Sequence, residues 1–140
     1  ENQKIGESEI VNVEFSFCDV KDGDFGMTKA LLNQGTYAGV GKVTENLSGL
    51  AASICAQKAV GTTIRVGDDD GEIYAFITLL GLKALEQKSF FESFKAFLLS
   101  NCPSEKKALM EKYLTVNSNR TAWLVNERII NMPPQVAQPL

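Results

Sequence analysis

Histidine is missing from all 140 residues. That removes Ser-His-Asp and Cys-His catalysis, and with them every histidine-ligated metal site. Cysteine is scarce: Cys18, Cys55 and Cys102 stand far apart, with no C-x-x-C spacing. Three thiols cannot supply a four-cysteine zinc site. An odd, dispersed set fits a reducing compartment better than a disulfide framework. No apolar run approaches the roughly eighteen residues of a membrane span. No basic cluster is dense enough for a nucleic-acid face, and the net charge is −3. The polar opening ENQKIGESE shows no signal-peptide pattern. It starts at Glu1 rather than Met, which points to a piece of a longer or processed polypeptide.

What is present is an ordinary globular composition, 44% apolar and 22% charged, long enough for one core. IVNVEFSF alternates, with Val11, Val13, Phe15 and Phe17 on one face and Asn12, Glu14 and Ser16 on the other. It reads as a strand with the apolar face buried. FGMTKALLNQ reads as a short helix with Met27, Leu31 and Leu32 inward, ended by Gly35. Thr44 caps a second helix whose Leu47, Leu50, Ala51 and Ile54 form one stripe, and Gly61 closes it. TTIRV and IYAFITLL make a hairpin around the polar turn GDDDGE, the second strand being central and buried on both faces.

Ser89 and Glu92 form a capping box for a helix with Phe90, Phe91, Phe94, Phe97 and Leu98 on its core face. Pro103 breaks that helix, and Ser104 caps another with Leu109, Tyr113 and Leu114 inward. TAWLVNERII is a last strand. Pro133-Pro134 stops it and opens a further helix. The order is β-α-α-β-β-α-α-β: one α/β domain over residues 1–140, with a mixed sheet, incomplete at its carboxyl end.

Several motifs fall short of the chemistry they suggest. GTYAGVGKVT has Gly41-Lys42 of a phosphate loop, but Val43 replaces the metal-binding hydroxyl, Thr36 the first glycine, and the loop follows a helix. Asp24-Phe25-Gly26 matches the kinase metal triplet, yet the histidine of the catalytic loop is absent. The carboxylates Asp68, Asp69, Asp70 and Glu72 suit a hard cation in type, but consecutive residues of an extended turn point apart. They read as a solvated hairpin tip, with an acidic contact for a basic partner as the functional alternative. Glu127 and Arg128 are strand neighbours facing opposite sides, so they cannot pair with each other. Surface salt bridges are the commoner fate of such residues, and a general base the rarer one. The sequons at Asn46 and Asn119 read as chance occurrences.

The stretch LVNERIINMPPQVAQPL resembles a segment of the BCCIP/Bcp family, carried by Glu127, Arg128, Ile130, Asn131, Pro133, Pro134, Gln135, Val136, Ala137 and Pro139. Asn126 and Ile129 depart from that pattern. VNVEFSFCDVKDGDFGMTKALL and IYAFITLLGL are similar to the family's opening strand and helix and its central strand. The resemblance spans nearly the whole chain and implies the amino-terminal half of a family member about twice as long. It implies a fold similar to GNAT acetyltransferases, nuclear localisation with shuttling to the cytoplasm, and a non-enzymatic chaperone role. The implied partner is a basic large-subunit ribosomal protein, in ribosome biogenesis and nuclear export, with cell-cycle proteins as further partners. Neither cofactor, metal, membrane nor direct nucleic-acid binding is expected, and a fragment of this kind could dimerise or swap. The alternative is a divergent acyltransferase or acyl-CoA-binding protein, against which stands LGLKALEQKSF, with lone Gly81 where GNAT enzymes carry their pyrophosphate loop.

Overall fold

The structure is a computed structural model that describes residues 13–39 and 47–132. Four strands, β1 (Phe15–Cys18), β2 (Thr62–Val66), β3 (Ile73–Gly81) and β4 (Ala122–Arg128), form one sheet in the order β1-β2-β3-β4. The helices are α1 (Phe25–Gln34), α2 (Leu47–Ala56), α3 (Leu82–Leu85), α4 (Ser89–Asn101) and α5 (Ser104–Leu114). Single 3₁₀ turns sit at Asp22–Asp24 and Ser118–Arg120. The α/β class stands. The described strands, however, pair antiparallel throughout rather than as a mixed sheet, and α3 adds a turn between β3 and the phenylalanine helix.

One face of the sheet carries the core. Cross-strand partners share a face, and Leu80 lies opposite Trp123, Thr78 opposite Val125 and Phe76 opposite Glu127. Phe76, Leu80, Trp123 and Val125 pack with Leu31 and Leu32 of α1, Leu50 and Ile54 of α2, and Phe91 and Phe94 of α4. A bulge between Ile64 and Arg65 shifts the register, so that Arg65 opposes Ile73 and Tyr74 is passed over. The extra residue places Ile73 and Phe76, three apart, in the same core, which strict alternation would forbid.

The first strand turns out inverted. Phe15 and Phe17 lie on the sheet face away from the helices, and Phe17 is 50% exposed. The reason is beneath β2: on the helix side lie Thr63 and Arg65, and Arg65 is tied to Asp24. A polar layer there leaves the phenylalanines the opposite face. Val13 is exposed too, and Val11 lies outside the described residues.

Helix α5 differs as well. Only Leu114 is buried; Leu109 (56% exposed) and Tyr113 face solvent. In α4, Phe90, Phe91 and Phe94 are buried, while Phe97 is partly exposed and Leu98 packs at the margin. Neither expected serine cap forms: Lys88 and Pro103 hold the cap positions without a side-chain bond, and Glu92 pairs with Lys95 instead. Helix α2 ends at Ala56. Gly61 instead precedes β2, at φ +122°, where a Cβ would sit 2.8 Å from the Ile77 carbonyl. Thr44 and the expected helix after Pro133-Pro134 fall outside the described residues.

Candidate functional site

The acidic tip joins β2 to β3. Gly67 takes φ +84°, the Gly71 N–H donates to the Asp68 carbonyl at 3.0 Å, and the Asp70 N–H to Asp68 Oδ1 at 3.3 Å. The turn thus closes on itself, and its carboxylates point outward. They are not bare. Lys21, just past β1, reaches Asp69 Oδ2 at 2.5 Å, Asp70 Oδ1 at 3.2 Å and the Asp69 carbonyl at 3.0 Å. The Lys21 ammonium, with a further bond from the Cys18 thiol, holds the Asp69 carboxyl below its usual range. The Cys18 thiol is pushed up, by burial first and then by Asp69. Among the described residues no group of three acidic or thiol side chains converges as a metal site.

The second location is the end of β4. Alternation along the strand puts Trp123, Val125 and Glu127 inward and Arg128 outward, as opposite-facing neighbours must lie. Among the described residues Glu127 makes no rim salt bridge. It is buried beneath the end of α1, where both carboxylate oxygens accept the Thr36 N–H, at 3.0 and 3.2 Å. Burial raises its pKa, and the Thr36 bonds pull the other way. Beside it the Phe94 and Trp123 rings stack with centroids 3.7 Å apart, and the indole N–H of Trp123 donates to the Tyr37 hydroxyl at 3.1 Å. Glu127 faces backbone rather than a cleft, so its chemistry is that of a positioned acceptor.

Sequence reasoning overlooked a third cluster. Arg65 and Asp24 form a buried pair, Nη2 to Oδ2 at 2.7 Å, with side chains 2% and 5% exposed. Arg65 also donates to Thr63 Oγ1 and to the Gly71 carbonyl, and Asp24 accepts the Lys21 N–H. The kinase-like triplet therefore has a structural use for its Asp24. A signal was available in a lone arginine within the apolar run TTIRV.

Of the residues carrying the family resemblance, Glu127 is buried while Arg128 and Asn131 are exposed. Pro133, Pro134 and Gln135 lie outside the described residues. The chain after β4 turns back, with Met132 N–H bonded to the Ile129 carbonyl and Met132 buried against Ile64 and Ala75. At the opposite end of β3, Gly81 leads into the single turn α3. The Leu82 N–H there is already committed to the Thr121 carbonyl at 3.0 Å.

These features define an α/β domain with an outward acidic tip at Asp68–Glu72, and with Arg65, Asp24 and Glu127 buried against structural partners. Comparison with known proteins gives the lineage: residues 10–140 match the BCCIP family model, and the chain belongs to that family. It is 31% identical to Protein bcp1 of Schizosaccharomyces pombe, over all of this chain and 50% of the relative. It is 32% identical to the mouse BRCA2 and CDKN1A-interacting protein, over 93% of this chain and 44% of that one. The crystal structure of BCP1 from Saccharomyces cerevisiae superposes with a TM-score of 0.65 at 27% identity, covering all of this chain and 59% of that one. The chain thus spans about half the length of the curated relatives it matches. The mouse relative carries the name of an interaction protein, and neither it nor the S. pombe relative is named as an enzyme.

Proposed function

We propose that this chain serves a non-enzymatic interaction protein, a nuclear chaperone that shields a basic large-subunit ribosomal protein during ribosome biogenesis and export. Cell-cycle proteins are its second class of partner, and it shuttles between nucleus and cytoplasm. The observation carrying this reading is family membership, with mammalian relatives named for binding BRCA2 and CDKN1A. The tip Asp68–Glu72 adds a physical means, since outward carboxylates attract a cationic client through an interaction that salt weakens. The acyl-CoA alternative has less support, because the backbone donor after Gly81 is spent on Thr121.

The test is capture of a purified basic large-subunit ribosomal protein by the immobilised chain, over about 0.05 to 0.5 M salt. Capture should be strong at low salt, fall steadily, and weaken further in Asp68→Lys with Asp70→Lys. No capture at low salt, or capture indifferent to salt, would overturn the proposal. A thermal shift with acetyl-CoA would favour the acyltransferase alternative instead.

A further inference from the structure

Helix α5 leaves an apolar flank in water. Lys106, Leu109 and Tyr113 follow one another at i, i+3 and i+7, so they lie along one side of the helix. Leu109 and Tyr113 are exposed there, as is Val116 (79%) in the turn beyond. Apolar surface rimmed by charge is a usual mark of an interaction site. At the end of the flank is a hollow of about 320 Å³, lined by Tyr113, Asn117, Arg120 and Thr121. Its backbone is fixed: the Asn117 N–H donates to the Lys112 carbonyl at 3.0 Å, and the Arg120 N–H and Thr121 hydroxyl both donate to the Asn117 carbonyl at 2.9 Å. Its side chains are uncommitted. Among the described residues the Tyr113 hydroxyl, the Asn117 carboxamide and the Arg120 guanidinium have no hydrogen-bond partner. Three donor groups without an acceptor therefore border one hollow.

The charge here is opposite to that of the whole. Residues 104–121 carry four cations, Lys106, Lys107, Lys112 and Arg120, and two carboxylates, Glu105 and Glu111. The rest of the chain carries ten cations and fifteen carboxylates. The four cations are exposed and none has an ion-pair partner among the described residues, whereas Lys21, Lys58, Lys83 and Lys95 all have one. Glu111 lies about 160° round the helix from Tyr113, and Glu105 a turn before Leu109. This positive end is remote from the acidic tip. Strand β3 runs from the tip at Ile73 to Gly81, which pairs with Ala122 beside Thr121, and a strand of that length spans about 27 Å.

We propose that this end of the domain is a second binding surface, which takes an acidic polypeptide segment: a carboxylate enters the hollow against Arg120, and an apolar side chain beside it lies on Leu109 and Tyr113. A guanidinium holds a carboxylate through paired N–H donors, and Asn117 and Tyr113 supply further ones. Lys106 and Arg120 stand singly at the two ends of the apolar flank, which suits separate carboxylates better than one concentrated phosphate. A nucleic acid fits less well, since its backbone would lay charge across Leu109 and Tyr113. A second copy of this chain would have to offer its own tip, where Lys21 already holds Asp69 and Asp70. The surface is opposite in sign to the tip, and the proposal does not depend on what the tip binds.

Fluorescence anisotropy tests this with a labelled synthetic peptide of glutamates around a pair of leucines, titrated with the 140-residue chain at low salt. The peptide should bind, and a version with serines for the leucines should bind about fivefold or more weakly. Arg120→Glu and Leu109→Ser, both at exposed positions, should each weaken binding by about fivefold to tenfold while circular dichroism is unchanged. Should a variant lose its fold, amide shifts of the unaltered chain on adding peptide decide. Those of Lys106, Leu109, Tyr113 and Arg120 should move, and those of Asp68 to Glu72 should stay. No binding up to about 1 mM peptide, affinity untouched by both variants, or shifts centred elsewhere would sink the proposal. So would a labelled single-stranded oligonucleotide that binds as tightly as the peptide, the mark of a surface for any polyanion. Self-association that Arg120→Glu abolishes and the peptide fails to inhibit would assign the face to a second copy instead.

Discussion

Arg65 and Asp24, forty-one positions apart, meet at 2.7 Å with almost no exposure to water. They fasten the 3₁₀ turn before α1 to the second strand of the sheet. Removing one partner of such a pair strands the other as a buried charge. Asp24→Ala should therefore cost about 3–5 kcal/mol, read as a lower urea midpoint. Replacing both, Asp24→Leu with Arg65→Met, should cost less than the single change, because no charge is left without a partner. A double variant weaker than Asp24→Ala would contradict this account.

Glu127 carries a pH dependence of definite sign. Burial makes its carboxyl hold the proton more tightly in the fold than in the unfolded chain. Its protonated form therefore favours folding. That contribution is fully present below the ordinary carboxylate value of about 4.3 and is lost as pH rises through the higher folded value. Glu127→Gln, neutral at every pH, should be more stable than the parent at neutral pH. The gap should close as pH falls towards about 4. Urea midpoints for both proteins across that range check it, and a gap that does not move with pH would refute the burial argument.

Gly35 is required by space rather than by backbone angle, since its φ of −92° suits any residue. A Cβ there would come within 1.7 Å of the Glu127 carboxylate. Gly35→Ala should destabilise by about 1–3 kcal/mol through overpacking. In a double-mutant cycle with Glu127→Ala the two changes should couple by more than about 0.5 kcal/mol, whereas additive effects would place the clash elsewhere.

The helices offer a contrast between two apolar residues. Phe91 is fully buried in α4 and Leu109 is exposed on α5. Phe91→Ala should cost about 3–5 kcal/mol. Leu109→Ala should stay within about 0.5 kcal/mol, as surface changes do. Thermal or urea unfolding of the two variants settles whether α5 faces water in solution.

Local periodicity carried the elements well and their surroundings badly. All four strands and the three helices α1, α2 and α4 follow from spacing alone, because period 2 and period 3.6 are properties of the backbone. Which face of β1 is covered is a different matter: alternation separates Phe17 from Ser16 but says nothing of the layer above either. That was decided by Arg65 on the neighbouring strand. Likewise Leu109 and Tyr113 satisfy a helical stripe, yet α5 reaches the core through Leu114, with Met110 at its margin, and leaves the other two in solvent. At the candidate sites, alternation correctly sent Glu127 and Arg128 to opposite sides. The partner of Glu127 was out of reach, since it is the backbone N–H of Thr36, ninety-one positions away, and a backbone group leaves no mark in a sequence. The acidic tip was legible as a hairpin turn; the lysine gripping it was not.

That lysine has a consequence for recognition. Lys21 is joined to the sheet through β1, so it stands at the carboxylates of Asp69 and Asp70 at a high effective concentration. A cation arriving from outside must displace a resident rival, one that is never diluted. The tip therefore discriminates against isolated charges and favours a ligand presenting several at once. Asp68, whose carboxylate Lys21 leaves unclaimed, is the natural first foothold for such an exchange.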